Sequence, residues 1–557
     1  MNLRGIGVSP GIAVGPAVVV QHVEVEIPFV EQTESDVEAA FHEVASALEA
    51  VAVSMDVRAE QVTSADLREV LRTTGAIARD PALLDEIRRE IESGHGRFHA
   101  LAIAVDRFST RLMHLGGYMA ERVLDLRDVH RRTHAHLLGI AEPGIPEIHE
   151  PSVILSADLA PSTMAALDRS KLLGIVTEQG GPTSHTAILA NQWGIPAVLQ
   201  CEGLLRRDPS IIALDGQTGQ VLIDPSDEAL AVQRARHERR AVMQASQQGV
   251  GTTKDGQHIE LLANVSGLED AIAAAQTDVE GVGLFRTEFM YLNRTEAPSY
   301  EEQLEAYTQV FEAFRGRKMV VRTLDAGADK PLDFLPLGDA QNPALGMRGF
   351  RLHRHLPTVF RDQLRAIAAA KEATDCEVWV MAPMIATLRE AVEFSEQARS
   401  HGLNTVGVMA EVPSAALRAD FLLRGADFMS IGTNDLSQYL FAADRLEGRL
   451  ASLLDGWQPA LWQLTAHAAE ASVRRAKPVG MCGEASGDPL QALLAVGAGI
   501  TSLSMAPAKV PMVRASLALH TVDQCKEMLQ AVIDAPDPRS AREAVAGLAD
   551  PSIVSLT

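Results

Sequence analysis

The sequence predicts a multidomain α/β protein, with a C-terminal (β/α)8 barrel and an N-terminal α/β domain that carries an inserted helical domain. Three observations predict it. Eight short apolar runs recur between helical segments within residues 252–557. Strand-like runs also fall in 1–22 and again in 145–225. Between those two stretches, residues 23–144 show helical periodicity. The expected domains are therefore 1–22 with 145–225, then 23–144, a connector at 226–251, and the barrel at 252–557.

Each element has its own signal. In the opening residues, VSPGIAVGPAVVV alternates apolar and small residues between turn formers, which reads as strand. Ser35 and Glu38 are spaced as a capping box, and Val37, Phe41, Val44, Leu48 and Val51 follow at helical intervals. Asp80-Pro81 starts another helix, with Leu84, Ile87 and Ile91 on one face and Gly94 near its end. Segments 97–115 and 117–139 complete a set of helical hairpins, which serves either as a docking platform or as a plain bundle. From about 145 the runs SVILSADL, GIVTEQ, AVLQC and VLIDP return to strand character. Residues 226–249 are polar, helix-prone and free of internal Gly and Pro, as suits a connecting helix.

The barrel strands are expected at 259–265, 281–286, 319–324, 378–384, 406–412, 428–434, 478–484 and 502–508. Eight buried strands alternating with helices over such a length form a barrel whose chemistry sits at the C-terminal strand ends. Polar residues stand there: Arg286, Arg322, Glu411, Asn434, Asp435 and Cys482.

Composition narrows the function classes. The 557 residues carry 50 basic and 73 acidic side chains, a net charge of −23, which disfavours nucleic acid and anionic membrane as partners. No apolar run approaches the ~18 residues of a membrane span, and no signal-peptide layout opens the chain, so a cytoplasmic location without membrane insertion is expected. The cysteines, Cys201, Cys376, Cys482 and Cys525, are not closely spaced and read as reduced thiols.

The motifs carry specific chemistry. In GGPTSHTAILA, residues 180–190, the glycines permit a tight turn and Thr183 or Ser184 can cap the following helix. His185 then lies at that helix's N-terminus, where free N–H groups and the dipole favour an anion. A neutral imidazole there can attack phosphorus. Arg286 and Arg322 end neighbouring strands and Arg445 follows the sixth; guanidinium groups bind phosphate and carboxylate in pairs of hydrogen bonds. Glu288 beside Arg286 offers the alternative of an ion pair. Glu411 and Asp435 suit Mg2+ with a phosphate ligand, or one of them pairs only with an arginine. Asn434 can hydrogen-bond a phosphate oxygen. Cys482, at a strand end, is either a small buried hydrophobe or a general acid.

Taken together and in order, these motifs resemble Enzyme I of the bacterial phosphotransferase system. The resemblance spans nearly the whole chain: GIGVSPGIAVG, VILSADLAPS, GGPTSHTAILA, GVGLFRTEF, VRTLDAGADK, NPALGMRGFR, MAEVPSA, SIGTNDLSQY, ADR and MCGEASGDP. It implies that His185 accepts the phosphoryl group of phosphoenolpyruvate and that Cys482 protonates the enolpyruvate left behind. It implies that Arg286, Arg322, Arg445 and Asn434 hold the substrate, with Arg348 of NPALGMRGFR contacting it too, and that Glu411 and Asp435 hold Mg2+. The helical domain would dock the carrier protein HPr, the barrel would form a homodimer, pyruvate would leave, and the His185 domain would swivel on the 226–249 helix.

Some positions depart from the family pattern. Pro182 stands where Arg or Lys is common, Met164 where Thr often supports the imidazole, and Ala328 where Gly is usual. Ala410 and Val412 flank Glu411 in place of the common Glu-Thr pair. LREVLRTTGAIARDP lacks the acidic and His residues often found before the Asp-Pro turn, and LLDGWQPALWQLT also differs. A dikinase or synthase using the same substrate would need an ATP-binding domain, for which residues 1–250 leave no stretch. A non-catalytic scaffold would not need His185, Cys482, the arginines and the carboxylates together.

Overall fold

The structure, a computed structural model, describes all residues except 1, 10, 21–35, 62–64, 116, 141–147, 160–162, 165, 166, 181–184, 246, 247, 292, 293, 328–331, 333, 336–341, 446, 447 and 557. Ser35, Pro182, Thr183, Ser184 and Ala328, each given a role by the sequence, lie outside the described residues. The chain divides into two compact units, Met1–His237 and Glu238–Thr557.

In the first unit, β1 (Asn2–Arg4), β2 (Ile6–Ser9) and β3 (Ile12–Val19) share one sheet with β4 (Ser152–Ser156), β5 (Leu172–Thr177), β6 (Ala197–Leu199), β7 (Ile211–Asp215) and β8 (Gln220–Ile223). The order is β1-β8-β7-β3-β4-β5-β6-β2. β3 through β6 pair in parallel, and the remaining pairs are antiparallel. β3 and β4 are neighbours although the helices Val37–Gln61, Ala65–Ala78, Pro81–Glu92, Arg97–Leu115 and Gly117–Leu138 intervene in sequence. These helices bury Val44, Leu48, Met55, Leu83, Ile87, Leu101 and Leu126 in one cluster, which also holds Ile154 and Ile175 from the sheet. The helix at Pro81 starts where its sequence says: the Asp80 carboxylate accepts from the Ala82 N–H at 2.8 Å, and proline occupies the first turn.

In the second unit, β9 (Glu260–Val265), β10 (Gly281–Arg286), β11 (Lys318–Arg322), β12 (Glu377–Ala382), β13 (Val406–Ala410), β14 (Phe428–Ile431), β15 (Val479–Met481) and β16 (Ser502–Met505) form a closed barrel. Every neighbouring pair is parallel, and β16 closes on β9. Leu284, Val320, Met381, Met409, Phe428 and Cys482 form a separate inner cluster, distinct from the large core between strands and helices. Several strands end sooner than their apolar runs. The run 428–434 is strand only to Ile431, because a helix, Thr433–Phe441, begins after Gly432. Asn434 and Asp435 therefore lie in the first turn of that helix and not on the strand.

The connector is a helix, Asp227–Ala245, and the division between the compact units falls inside it. Within the second unit, its buried Arg240 donates to the Leu556 carbonyl, and Met243 packs on the barrel unit's core. Helices Val522–Ile533, Pro538–Leu548 and Pro551–Val554 follow the barrel and add Cys525, Met528, Val532, Val545 and Ile553 to that core. All four cysteines are free and buried. Among the described residues, no helix is long and apolar enough to cross a membrane.

Candidate active site at the barrel mouth

The closed barrel brings most of the singled-out polar residues to one end. Arg286 ends β10 and Arg322 ends β11. Glu411 lies one residue beyond β13, Asn434 and Asp435 three and four residues beyond β14, and Cys482 one residue beyond β15. The approach of the β15 and β14 loops depends on Gly483: a Cβ there would sit 1.8 Å from the Thr433 hydroxyl.

Asp325, which the sequence reading did not single out, is the centre of the charge cluster. Its two carboxylate oxygens accept from Arg348 Nε and Nη2, each at 3.1 Å, and Oδ2 also lies 3.1 Å from Arg322 Nη1. Arg322 Nη2 donates to Glu288 at 2.6 Å, so Glu288 serves Arg322 and not its sequence neighbour Arg286. Arg348 is fully buried; Nη1 donates to Asp435 at 2.8 Å and to the Tyr439 hydroxyl at 3.3 Å. Arg445 is more open, with Nη1 3.9 Å from Asp435. Arg286 is half-buried, and its side chain has no hydrogen-bond or ion-pair partner among the described residues.

Burial sets the electrostatics. Glu411 is buried, its Oε1 accepting from the Met384 N–H at 2.6 Å. Loss of water, then the nearby Asp435 and Asp325 carboxylates, push it up to about 8, against the pull of Arg322 and Arg348. Burial would also discharge Arg322 and Arg348. The carboxylates around them, Glu288 and Asp325 for Arg322 and Asp325 and Asp435 for Arg348, more than offset this and hold both charged. Burial raises the Cys482 thiol, and a hydrogen bond from Ser430 opposes the rise. A buried thiol held protonated is suited to give a proton rather than to attack as thiolate.

A buried amide fixes the spacing of the two strand-end arginines. Gln363 Oε1 accepts from the Leu324 N–H at 3.0 Å, and its Nε2 donates to Thr287 Oγ1 at 3.1 Å and to the Tyr307 hydroxyl at 3.0 Å. Thr287 in turn donates to the Arg322 carbonyl at 2.9 Å. One side chain thereby ties the residue after Arg286 to the backbone after Arg322. Neither Gln363 nor Asp325 carries a strong local signal. Asp325, three residues past a strand-end arginine, was the more readable of the two.

In the first unit, the helix His185–Trp193 begins at His185, preceded by Gly180 at φ +93°. Thr186 Oγ1 donates to the Leu159 carbonyl at 3.2 Å, which anchors that first turn. Met164 is fully buried in the apolar cluster with Leu159, Leu167 and Leu189.

Comparison with known proteins matches this layout over the whole chain. Residues 240–522 fit the family described as PEP-utilising enzyme, PEP-binding domain. Residues 148–219 fit the PEP-utilising enzyme mobile domain, and 4–122 the PEP-utilising enzyme N-terminal family. A Phosphoenolpyruvate-protein phosphotransferase of Streptomyces coelicolor is 44% identical over 546 residues, covering 98% of each chain. This chain belongs to the phosphoenolpyruvate-protein phosphotransferase family. Relatives of the same name from Staphylococcus carnosus and Geobacillus stearothermophilus are 35% and 36% identical; each covers 96% of this chain, with 96% and 95% of their own lengths matched. Members of this family thus align with both compact units and not with the barrel alone.

Proposed function

We propose that this chain moves the phosphoryl group of phosphoenolpyruvate to its own His185 and then to the carrier protein HPr, releasing pyruvate. It would act in the cytoplasm as the first step of sugar uptake by the phosphotransferase system. The observation that carries the reading is Arg286: a half-buried guanidinium without a partner among the described residues, at the same barrel end as Arg322, Asn434, Arg445 and Cys482. Such a cation is ready for an anionic ligand. Arg286, Arg322, Arg445 and Asn434 grip phosphate and carboxylate, and Arg348, from its buried place, holds Asp325 and Asp435 in position.

Family membership implies a divalent metal, and the residues fit one. Glu411 and Asp435 offer hard oxygen ligands, and their mutual repulsion, which adds to the burial that raises Glu411, is what a divalent cation relieves. No group of three or more His, Cys, Asp or Glu among the described residues is arranged to hold a metal. Two protein carboxylates with substrate and water oxygens is the pattern of Mg2+, which would neutralise phosphate charge when bound. The protein's own part is positioning. The bond from phosphorus to the enol oxygen breaks as a bond to a His185 ring nitrogen forms, so His185 must approach in line. The enolpyruvate then takes the Cys482 thiol proton at carbon. His185 cannot face substrate and HPr together, so the domain of 1–22 and 145–225 swivels, with the 23–144 helices docking HPr and the barrel forming a homodimer.

The test is incubation of the protein with radiolabelled phosphoenolpyruvate and Mg2+, with and without HPr, alongside His185→Ala and Cys482→Ala. Acid-labile label on wild type and not on His185→Ala, chased onto HPr, supports the reading. Cys482→Ala should exchange label between HPr and His185 yet form pyruvate at least ~100-fold more slowly. Label that never reaches HPr would overturn the partner, and no label at all would overturn the activity.

A further inference from the structure

Ser430 sits on β14 inside the barrel with its side chain buried. Its Oγ–H donates to Cys482 Sγ at 3.3 Å. Next to Ser430 is a cavity of about 20 Å3, lined also by Lys318, Phe428, Met481, Ser502 and Ser504. That volume holds one water, and the hydroxyls and the ammonium in its wall supply the polar partners a buried water needs. The cavity does not belong to the mouth. Lys318, Phe428 and Ser502 are the first residues of β11, β14 and β16, so it occupies the end of the barrel where strands begin. Trp379, Gly480 and Ser502 in its wall keep partial exposure, so solvent reaches that end.

If Cys482 gives a proton in each cycle, it must recover one before the next. Its side chain is 5% exposed, and the mouth side is where substrate and product sit. We propose that Ser430 returns the proton to Cys482 from water in this cavity, so that protons enter the barrel from the end opposite to the substrate. The proposal rests on the reading of Cys482 as proton donor. The step balances as follows. The S–H bond breaks as the C–H bond of pyruvate forms. The thiolate then takes the hydrogen of the Ser430 O–H while the Ser430 oxygen takes one from the cavity water, which solvent restores. The net change is one solvent proton consumed per pyruvate. Ser430 touches the donor and not the substrate, so it is a relay residue.

The experiment is rapid-quench measurement of pyruvate formation by the full chain with phosphoenolpyruvate, Mg2+ and excess HPr. Wild type, Ser430→Ala, Ser430→Thr and Cys482→Ala are compared. A thiol that begins protonated serves one turnover without a relay. Ser430→Ala should therefore give a burst of one pyruvate per site at the wild-type rate, then turn over about 10-fold more slowly or worse. Ser430→Thr, which keeps the hydroxyl, should restore the later turnovers. Wild-type behaviour of Ser430→Ala in both phases would overturn the relay. A first turnover slowed as much as later ones would also overturn it, because that is a packing defect. If Cys482→Ala itself forms pyruvate at the wild-type rate, the donor assignment falls, and the relay with it.

Discussion

The helix pair around Glu86 and Glu90 and the barrel mouth use the same side chains to opposite effect, although Gly117–Leu138 of the same segment also holds buried pairs, Arg132 with Asp128 and Arg122 with Asp125. In the helices, Glu86 and Glu90 accept from Arg107 at 2.6 and 2.5 Å, and Glu86 also from Arg89 at 2.6 Å. The carboxylates are sheltered, but the Arg107 side chain is 50% exposed and Arg89 63%. Those arginines keep their water, and each pair is replaceable by solvent. At the mouth, Arg348 and Asp325 are both wholly buried, and Arg322 nearly so. There, no water stands in for a lost partner, so each charge depends on the next. The count of ion pairs says little about a region; the exposure of the cationic partner says whether the pair is structural or decorative.

The hardest blow to the mouth is to break one partner. Asp325→Asn leaves Arg348 buried with one of its acidic partners gone, and should cost the barrel unit about 3–5 kcal/mol and nearly all phosphoenolpyruvate turnover. Denaturant midpoints together with pyruvate formation measure both. Removing the pair together separates stability from function. Asp325→Leu with Arg348→Met should regain part of the lost midpoint, since the two matched charges leave together while Arg322 and Asp435 each keep one other partner, and turnover stays lost. Recovery of turnover in that double variant would mean that the cluster only holds the fold.

A smaller effect belongs to the helices. His130 and His134 lie one turn apart on Gly117–Leu138 with ring centroids 4.5 Å apart. Burial, aided by the facing His134 and by Arg131, pulls His130 from 6.5 down to about 3. The unfolded chain binds a proton below pH 6.5 that the folded chain refuses, so this contribution is complete above 6.5 and is lost as pH falls toward 3. The slope is about 1.4 kcal/mol per pH unit once below 6.5. His130→Leu should flatten the acid limb of a stability–pH curve between pH 6 and 4 by roughly that slope. The smallest effect is Arg107→Gln, whose melting midpoint at physiological ionic strength should match wild type. A large loss there would erase the contrast between the two regions.

Much of this was readable in the chain. The eight barrel strands follow from buried apolar runs separated by helical spacing, and all eight pair as expected. Strand ends were less readable, because apolar runs continue into loops: Gly432 and Thr433 begin a helix although SIGT reads on as strand. Residues with a motif around them, Arg286, Arg322, Glu411, Asn434, Asp435 and Cys482, gather at one end of the barrel. The resemblance singled out Arg348, but its burial was not legible, since burial depends on Asp325 and Asp435 arriving from distant chain positions. Gln363 and Ser430 were illegible for the same reason. Their roles consist of partners at sequence separations of 39, 76 and 52 residues.

The cage around Arg348 also constrains how such a protein can change over time. A lineage that alters Asp325 or Arg348 alone passes through a chain carrying an unmatched buried charge, at a cost comparable to much of a domain's net stability. Two simultaneous changes would avoid that valley but are rare. Descent should therefore leave this pair untouched while the half-exposed arginines of the helices come and go.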